Sequence, residues 1–384
     1  MATRRTFVRS LAAGSLGAAV FHPSFSMTAS ALAPEGPTAT NVKDAERYPR
    51  TADSMPGKFP GRVVQVTSER SMAENTINEP EIARMVREGI MKLTGAEDAP
   101  SAWRMFVSPT DRIGLKVNPI GGTLLSTSHE IVRSVIAELA SAGIPKENIL
   151  IWDRREFELH EAGFTEERYP GIAVRGTERK DASGSFYDAK GKLYGEAMID
   201  KDWYYWADCE QAYDAETIPY MINEGKHSYF SRICTKDVDK IINIPILKNA
   251  GSSVTLCMKN LAFGSISNTG RLHKTLWAET CAEVCAFPPL RDKTVLNIVD
   301  GIRGCYQGGP GANPQFITNY KTVLIGTDPV AVDRVGYEIV LKKRIAEKIQ
   351  KEDSPKARRF MELAAQLKLG VADLDKITHE QLTL

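Results

Sequence analysis

Four short runs of this chain are apolar without alternation: Asn148-Ile-Leu-Ile-Trp152, Lys240-Ile-Ile-Asn-Ile-Pro245, Thr294-Val-Leu-Asn-Ile-Val299 and Thr322-Val-Leu-Ile-Gly326. Strands with no polar face must be covered on both sides, which is the situation of central strands in a sheet flanked by helices. The sequence between them supplies the helices. Apolar residues at helical spacing run from Pro80 to Leu93 (Ile82, Met85, Val86, Ile90, Leu93), and Ser128 to Ala142 reads as a helix closed by Gly143. Strand, helix and strand of these lengths imply a right-handed parallel crossover. The expected fold class is therefore α/β, a mostly parallel open sheet covered by helices.

The rhythm begins near residue 61, with Arg62-Val-Val-Gln-Val-Thr67 and Arg112-Ile-Gly-Leu-Lys-Val117 as further strands, and ends with helices over Val330–Glu347 and Lys356–Leu369. Residues 154–235 interrupt it with Gly, Asp and clustered aromatics such as Trp203, Tyr204, Tyr205 and Trp206, and read as an elaborated insertion. Before residue 61, positions 34–60 hold Pro34, Pro37, Pro49, Pro56 and Pro60, a composition that resists helix and ladder alike and reads as a linker or wrapped arm.

The first 33 residues read as a twin-arginine signal peptide. Arg4 and Arg5 with Phe7 precede an apolar run of 11 residues, Leu11 to Phe21, and small residues suited to cleavage follow at Ala29, Ala31 and Ala33. A membrane span needs about 20 apolar residues, so the run reads as a leader and not as an anchor. The twin-arginine translocase is the expected partner, the location is periplasmic or otherwise exported, and no membrane anchor is expected after cleavage. The full chain carries a net charge of +1, and the leader holds three arginines and no acid. No basic surplus is left to grip nucleic acid.

Six cysteines lie far apart except Cys281 and Cys285, whose spacing puts both on one helix face. A zinc or iron–sulfur site wants closer pairs or further ligands. Buried thiols or one disulfide is the expectation, and no metal site is assigned.

Three clusters carry candidate chemistry. Lys116 and Asn118 sit at a strand end before Gly121-Gly122, and Ser126-Thr-Ser-His129 opens the next helix, a start suited to an anion. Ile244 to Gly264 embeds Lys248, Lys259 and Asn260 among apolar residues, where a lysine needs an anionic partner: Asp153, Asp300 or Asp328 of the chain itself, or a bound carboxylate or phosphate. Asp300-Gly301, the glycine loop 308–311 and Asp328-Pro-Val-Ala-Val-Asp333 form the third, with helix capping as the structural alternative for Asp328. His273 follows the second cluster.

In these motifs the sequence resembles the family labelled domain of unknown function 362. Lys116 with Asn118, Pro245 to Lys248, Thr255 to Asn260, Asp300-Gly301 with its glycine loop and Asp328 to Asp333 occur in that order, and the resemblance spans roughly residues 61–380. It implies no settled chemistry. Some relatives carry ferredoxin-type cysteine clusters, absent here, and relatives often place a histidine shortly after the Pro-Lys lysine, where this chain has Asn249 and Ala250.

The leading expectation is a protein that binds an anionic small molecule or cofactor of unassigned identity through Lys116, Asn118, Lys248, Lys259, Asn260, Asp300 and Asp328, with His273, Asp300 and Asp328 as candidate catalytic groups should it be an enzyme. One alternative is a non-catalytic partner or maturation factor for an exported redox enzyme, docking through its aromatic insertion. Another is metal-assisted chemistry on Asp300, Asp328, Asp333 and His273. The pocket reading requires Lys116, Lys248, Lys259, Asp300 and Asp328 to converge.

Overall fold

A computed structural model of the chain describes residues 37–209, 218–220, 225–251 and 253–384. The expected leader, the first residues of the linker, Ser252 and parts of the insertion lie outside the described residues. The first half holds β1 (Arg62–Thr67), a small ribbon of β2 (Met72–Ala73) and β3 (Thr76–Ile77), α1 (Glu79–Thr94), α2 (Ala99–Arg104), β4 (Ile113–Lys116), α3 (His129–Ser141), β5 (Ile149–Arg155), α4 (Glu156–Glu161) and β6 (Ala173–Glu178). A separate hairpin follows, β7 (Ile199–Trp206) with β8 (His227–Ser231). Next come β9 (Lys240–Asn243), β10 (Ile246–Ala250), β11 (Ser253–Thr255), α5 (Cys257–Ser265), α6 (Leu272–Thr275), α7 (Trp277–Glu283) and α8 (Pro288–Arg291). The chain closes with β12 (Thr294–Cys305), β13 (Ile317–Thr318), β14 (Thr322–Gly326), α9 (Pro329–Ala346), α10 (Pro355–Gln366) and β15 (Thr378–Thr383).

One 11-stranded sheet organises the molecule, in the order β15-β1-β14-β12-β9-β4-β5-β6, with β10, β11 and β13 attached beside β12. The block β12-β9-β4-β5-β6 is parallel throughout, whereas β14 runs antiparallel to both β12 and β1. The sheet is thus mixed and mostly parallel. Its central strands are buried along their length: β4, β12 and β14 expose almost nothing. One core lies against α1, α2 and α3, built on Val64, Ile113, Leu115 and Ile298; the other packs α5, α7, α9 and α10 over the opposite face, around Leu247, Leu261 and Phe360.

One expectation shifts. The stretch 154–235 is not all insertion, because α4 and β6 continue the sheet and β6 pairs in parallel with β5; the departure begins after Glu178. The six cysteines are free and buried, the first of the two alternatives expected for them. The Pro-rich arm behaves as a wrap: Arg291 donates to the carbonyls of Ala45, Tyr48 and Pro49, and Asn41 accepts from the Trp206 amide. No helix among the described residues is long and apolar enough to cross a membrane.

Candidate functional site

The carboxyl ends of β4, β5 and β9 meet beneath α5, and the polar residues placed there are almost fully buried. Lys116, the last residue of β4, is wholly inaccessible and forms an ion pair with Asp153 of β5. Its ammonium also donates to the Val117 carbonyl at 2.9 Å. Gly264 on α5 passes directly over this pair, and a Cβ there would lie 2.5 Å from Lys116 Nζ, so any larger residue would have to displace the buried ammonium. Burial lowers the Lys116 pKa, and Asp153 opposes that shift.

Beside this pair a chain of side-chain amides crosses the sheet, starting at Lys248. Lys248 donates to Asn118 Oδ1 at 2.9 Å, Asn118 to Asn260 Oδ1 at 2.9 Å, Asn260 to Asn243 Oδ1 at 2.8 Å and Asn243 to Asn297 Oδ1 at 2.9 Å. Asn297 finally donates to the carbonyls of Gly326 and Thr327. Asn243 and Asn297 are register partners across β9 and β12, which is why two amides inside apolar strands meet. Lys248, at the head of this chain, is fully buried, and burial together with nearby Lys259 brings its pKa down to about 7.

Asn118 and Asn260 form part of the wall of a chamber of about 70 Å³, which Thr255, Lys259, Glu158 and His273 also line. Lys259, Pro310 and His273 are shared with a larger cavity of about 790 Å³ that opens toward Lys274, Trp277 and Lys356. Lys259 is 9% exposed and makes no ion pair or hydrogen bond among the described residues; its ammonium stands 5.4 Å from the Phe263 ring centroid and 5.5 Å from that of Trp277. Burial lowers its pKa. Thr255 Oγ1 and Glu158 Oε2 are buried without hydrogen-bond partners, while Glu158 Oε1 accepts from Arg155 at 2.9 Å.

His273 lies at the mouth, its ring 4.5 Å from that of Phe263. Its Nδ1 faces the Thr269 carbonyl at 2.9 Å, and a carbonyl only accepts, so Nδ1 carries the hydrogen and Nε2 keeps its lone pair. The ring edge is open to solvent, yet the wall around it, with Lys259 and Arg154 adding positive charge, lowers its pKa and favours that neutral form.

The acids of the third cluster do not join this group. Asp300 accepts from the Ser128 amide at 2.7 Å and the Ile302 amide at 3.1 Å, and lines a different cavity of about 410 Å³. Asp328 accepts four backbone N–H groups, from Gly61, Val330, Ala331 and Val371, capping α9 and tying it to β1 and the C-terminal segment. Asp333 accepts from the amides of Cys257 and Met258 and so caps α5, the helix that carries Lys259 and Asn260. The convergence expected of five side chains therefore holds for the lysines and fails for Asp300 and Asp328, whose oxygens are engaged by backbone. Asp300, Asp328, Asp333 and His273 occupy separate settings, and among the described residues no group of three or more His, Cys, Asp or Glu side chains is placed to hold a metal ion.

Asn243, Asn297 and Glu158 were not singled out from sequence, and Thr255 was named only as the start of a motif. The two asparagines carried a legible signal, a lone amide at the same place in two otherwise apolar strands, Ile-Ile-Asn-Ile and Val-Leu-Asn-Ile. Glu158 carried none, being one of several charges on a short helix.

The family model described as Domain of unknown function (DUF362) matches residues 209–338. That span holds Lys248, Lys259, Asn260 and His273 but not Lys116 or Asn118, and is narrower than the resemblance seen in the sequence. No curated protein matches the chain. A crystal structure of a protein from Thermotoga maritima aligns at 9% identity with a TM-score of 0.39, over 71% of this chain and 60% of the other.

Proposed function

We propose that this is an exported α/β protein that binds an anionic small molecule in the chamber beneath α5, with Lys259 as the cation that receives it. The observation that supports the reading is the Lys259 ammonium, nine-tenths buried with no counter-ion among the described residues. A buried charge left unpaired is costly, and the cost falls when an anion arrives. Thr255 adds a hydroxyl that lacks a partner inside the protein. Charge attraction is stronger in such a partly dry chamber than in bulk water. Lys116, Lys248, Asn118 and Asn260 serve the site from behind, by fixing the wall. Export by the twin-arginine route, to the periplasm or beyond, rests on Arg4, Arg5 and the apolar run after them.

Mass spectrometry of small molecules retained by protein purified from its own host tests the binding reading. Wild type is expected to retain an anion that Lys259→Met loses. The melting temperature of the ligand-free variant should hold or rise by a few degrees, because an isolated buried charge has been removed. Undiminished retention of the same molecule by the variant defeats the reading.

A further inference from the structure

The unpartnered atoms around the chamber differ in what they can accept or give. Lys259 Nζ only donates and carries positive charge. Glu158 Oε2 has no partner while Arg155 holds the other oxygen, and His273 Nε2 carries a lone pair because Nδ1 donates to Thr269. Both are acceptors. Thr255 Oγ1, 3% exposed and unpartnered, can act either way. A bare anion would answer Lys259 and Thr255 but would set its own acceptor oxygens against His273 Nε2 and against Glu158 Oε2, and would leave the latter a buried acceptor without a partner, the expensive outcome for polar groups.

Resting on the binding reading above, we infer that the ligand head is a carboxylate with a hydroxyl or amino group on the adjacent carbon: the carboxylate meets Lys259 and Thr255, and the neighbouring O–H or N–H donates to Glu158 or His273. The volume of about 70 Å³ suits a head group of a few non-hydrogen atoms. Anything larger extends past Lys259 and Pro310 into the 790 Å³ cavity, beside Trp277 and the exposed Lys274 and Lys356. Burial, with Asp153 nearby, raises the Glu158 pKa, and Arg155 and Arg154 oppose that rise; the Arg155 N–H donated to Oε1 calls for an acceptor at that carboxyl.

Titrations of wild type with glycolate, glycine, acetate and inorganic phosphate, followed by ligand-observed NMR, decide the matter. Glycolate or glycine is expected to bind about tenfold more tightly than acetate, the worth of one buried hydrogen bond to a charged group. Preference for glycolate identifies a hydroxy acid and preference for glycine an amino acid. Glu158→Leu or His273→Phe, whichever removes the acceptor, should bring that ratio close to one while acetate still binds; a ratio unchanged in both variants overturns the inference, and Lys259→Met should remove binding of all four. Should Glu158→Leu fail to fold, the wild-type ratio alone decides. Acetate binding as well as glycolate and glycine, or phosphate displacing both, overturns the inference and leaves an anion site standing. Binding of none of the four overturns the inference too, and the anion reading then stands or falls on the retained-molecule experiment.

Discussion

Lys116 and Lys259 are both lysines in apolar sequence, and their settings make opposite predictions. Lys116 neutralises Asp153, which is 5% exposed, whereas Lys259 neutralises nothing in the described chain. Lys116→Met should therefore lower the unfolding free energy by about 3–5 kcal/mol, the usual loss when one member of a buried pair is left alone. Adding Asp153→Leu should restore much of it, and denaturant titration of the single and double variants checks both. Equal stability of Lys116→Met and wild type would show that Asp153 is not held by this lysine. The sequence revealed these lysines because charge amid apolar residues demands explanation. It did not separate Asp153 from Asp300 and Asp328, since a carboxylate that caps backbone N–H groups and one that pairs with a lysine are the same residue type, and only the backbone around them differs.

At the scale of elements, the position of α5 depends on Asp333, which reaches from α9 to the first amides of that helix. Burial pushes the Asp333 pKa up to about 7 against the pull of those hydrogen bonds. An unfolded aspartate titrates near 3.9, so between about pH 4 and 7 the folded chain holds a proton that the unfolded chain lacks. Stability from this group is then full below the unfolded value and is lost as pH rises through the folded one, by on the order of 4 kcal/mol at most. Asp333→Asn cannot titrate. The advantage of wild type over this variant should be larger at pH 5 than at pH 7.5 in urea titrations, and parallel stabilities at the two values would refute the assignment. The strands of the parallel block were readable from their β-branched apolar runs. Those of β10 and β11 were not, because Lys248, Asn249 and Ser253 make the hairpin look like a loop. Nor was β15, a polar strand that pairs with β1 at the sheet edge and alternates only weakly. The reversed direction of β14 was likewise hidden, since an apolar run does not record which way it points.

For the whole molecule, the expected layered α/β plan held, and the residues that meet beneath α5 come from segments spread between Lys116 and His273. The proposed export is tested on the entire chain: replacing Arg4 and Arg5 by Lys should leave uncleaved precursor in the cytoplasm, visible by fractionation and immunoblotting. Unchanged export of that variant would remove the compartment from the proposal. The row of amides from Lys248 to the Gly326 and Thr327 carbonyls has a further consequence. The Gly326 and Thr327 carbonyls at one end can only accept, and Lys248 donates at the other, so every amide between them can face one way alone, and the row is polarised like a column of aligned magnets. Aspartate lacks the donor and leucine lacks both groups, so no single near-isosteric replacement keeps the alignment. Drift at Asn118, Asn260, Asn243 or Asn297 would have to be concerted, and the four positions should be inherited as a set.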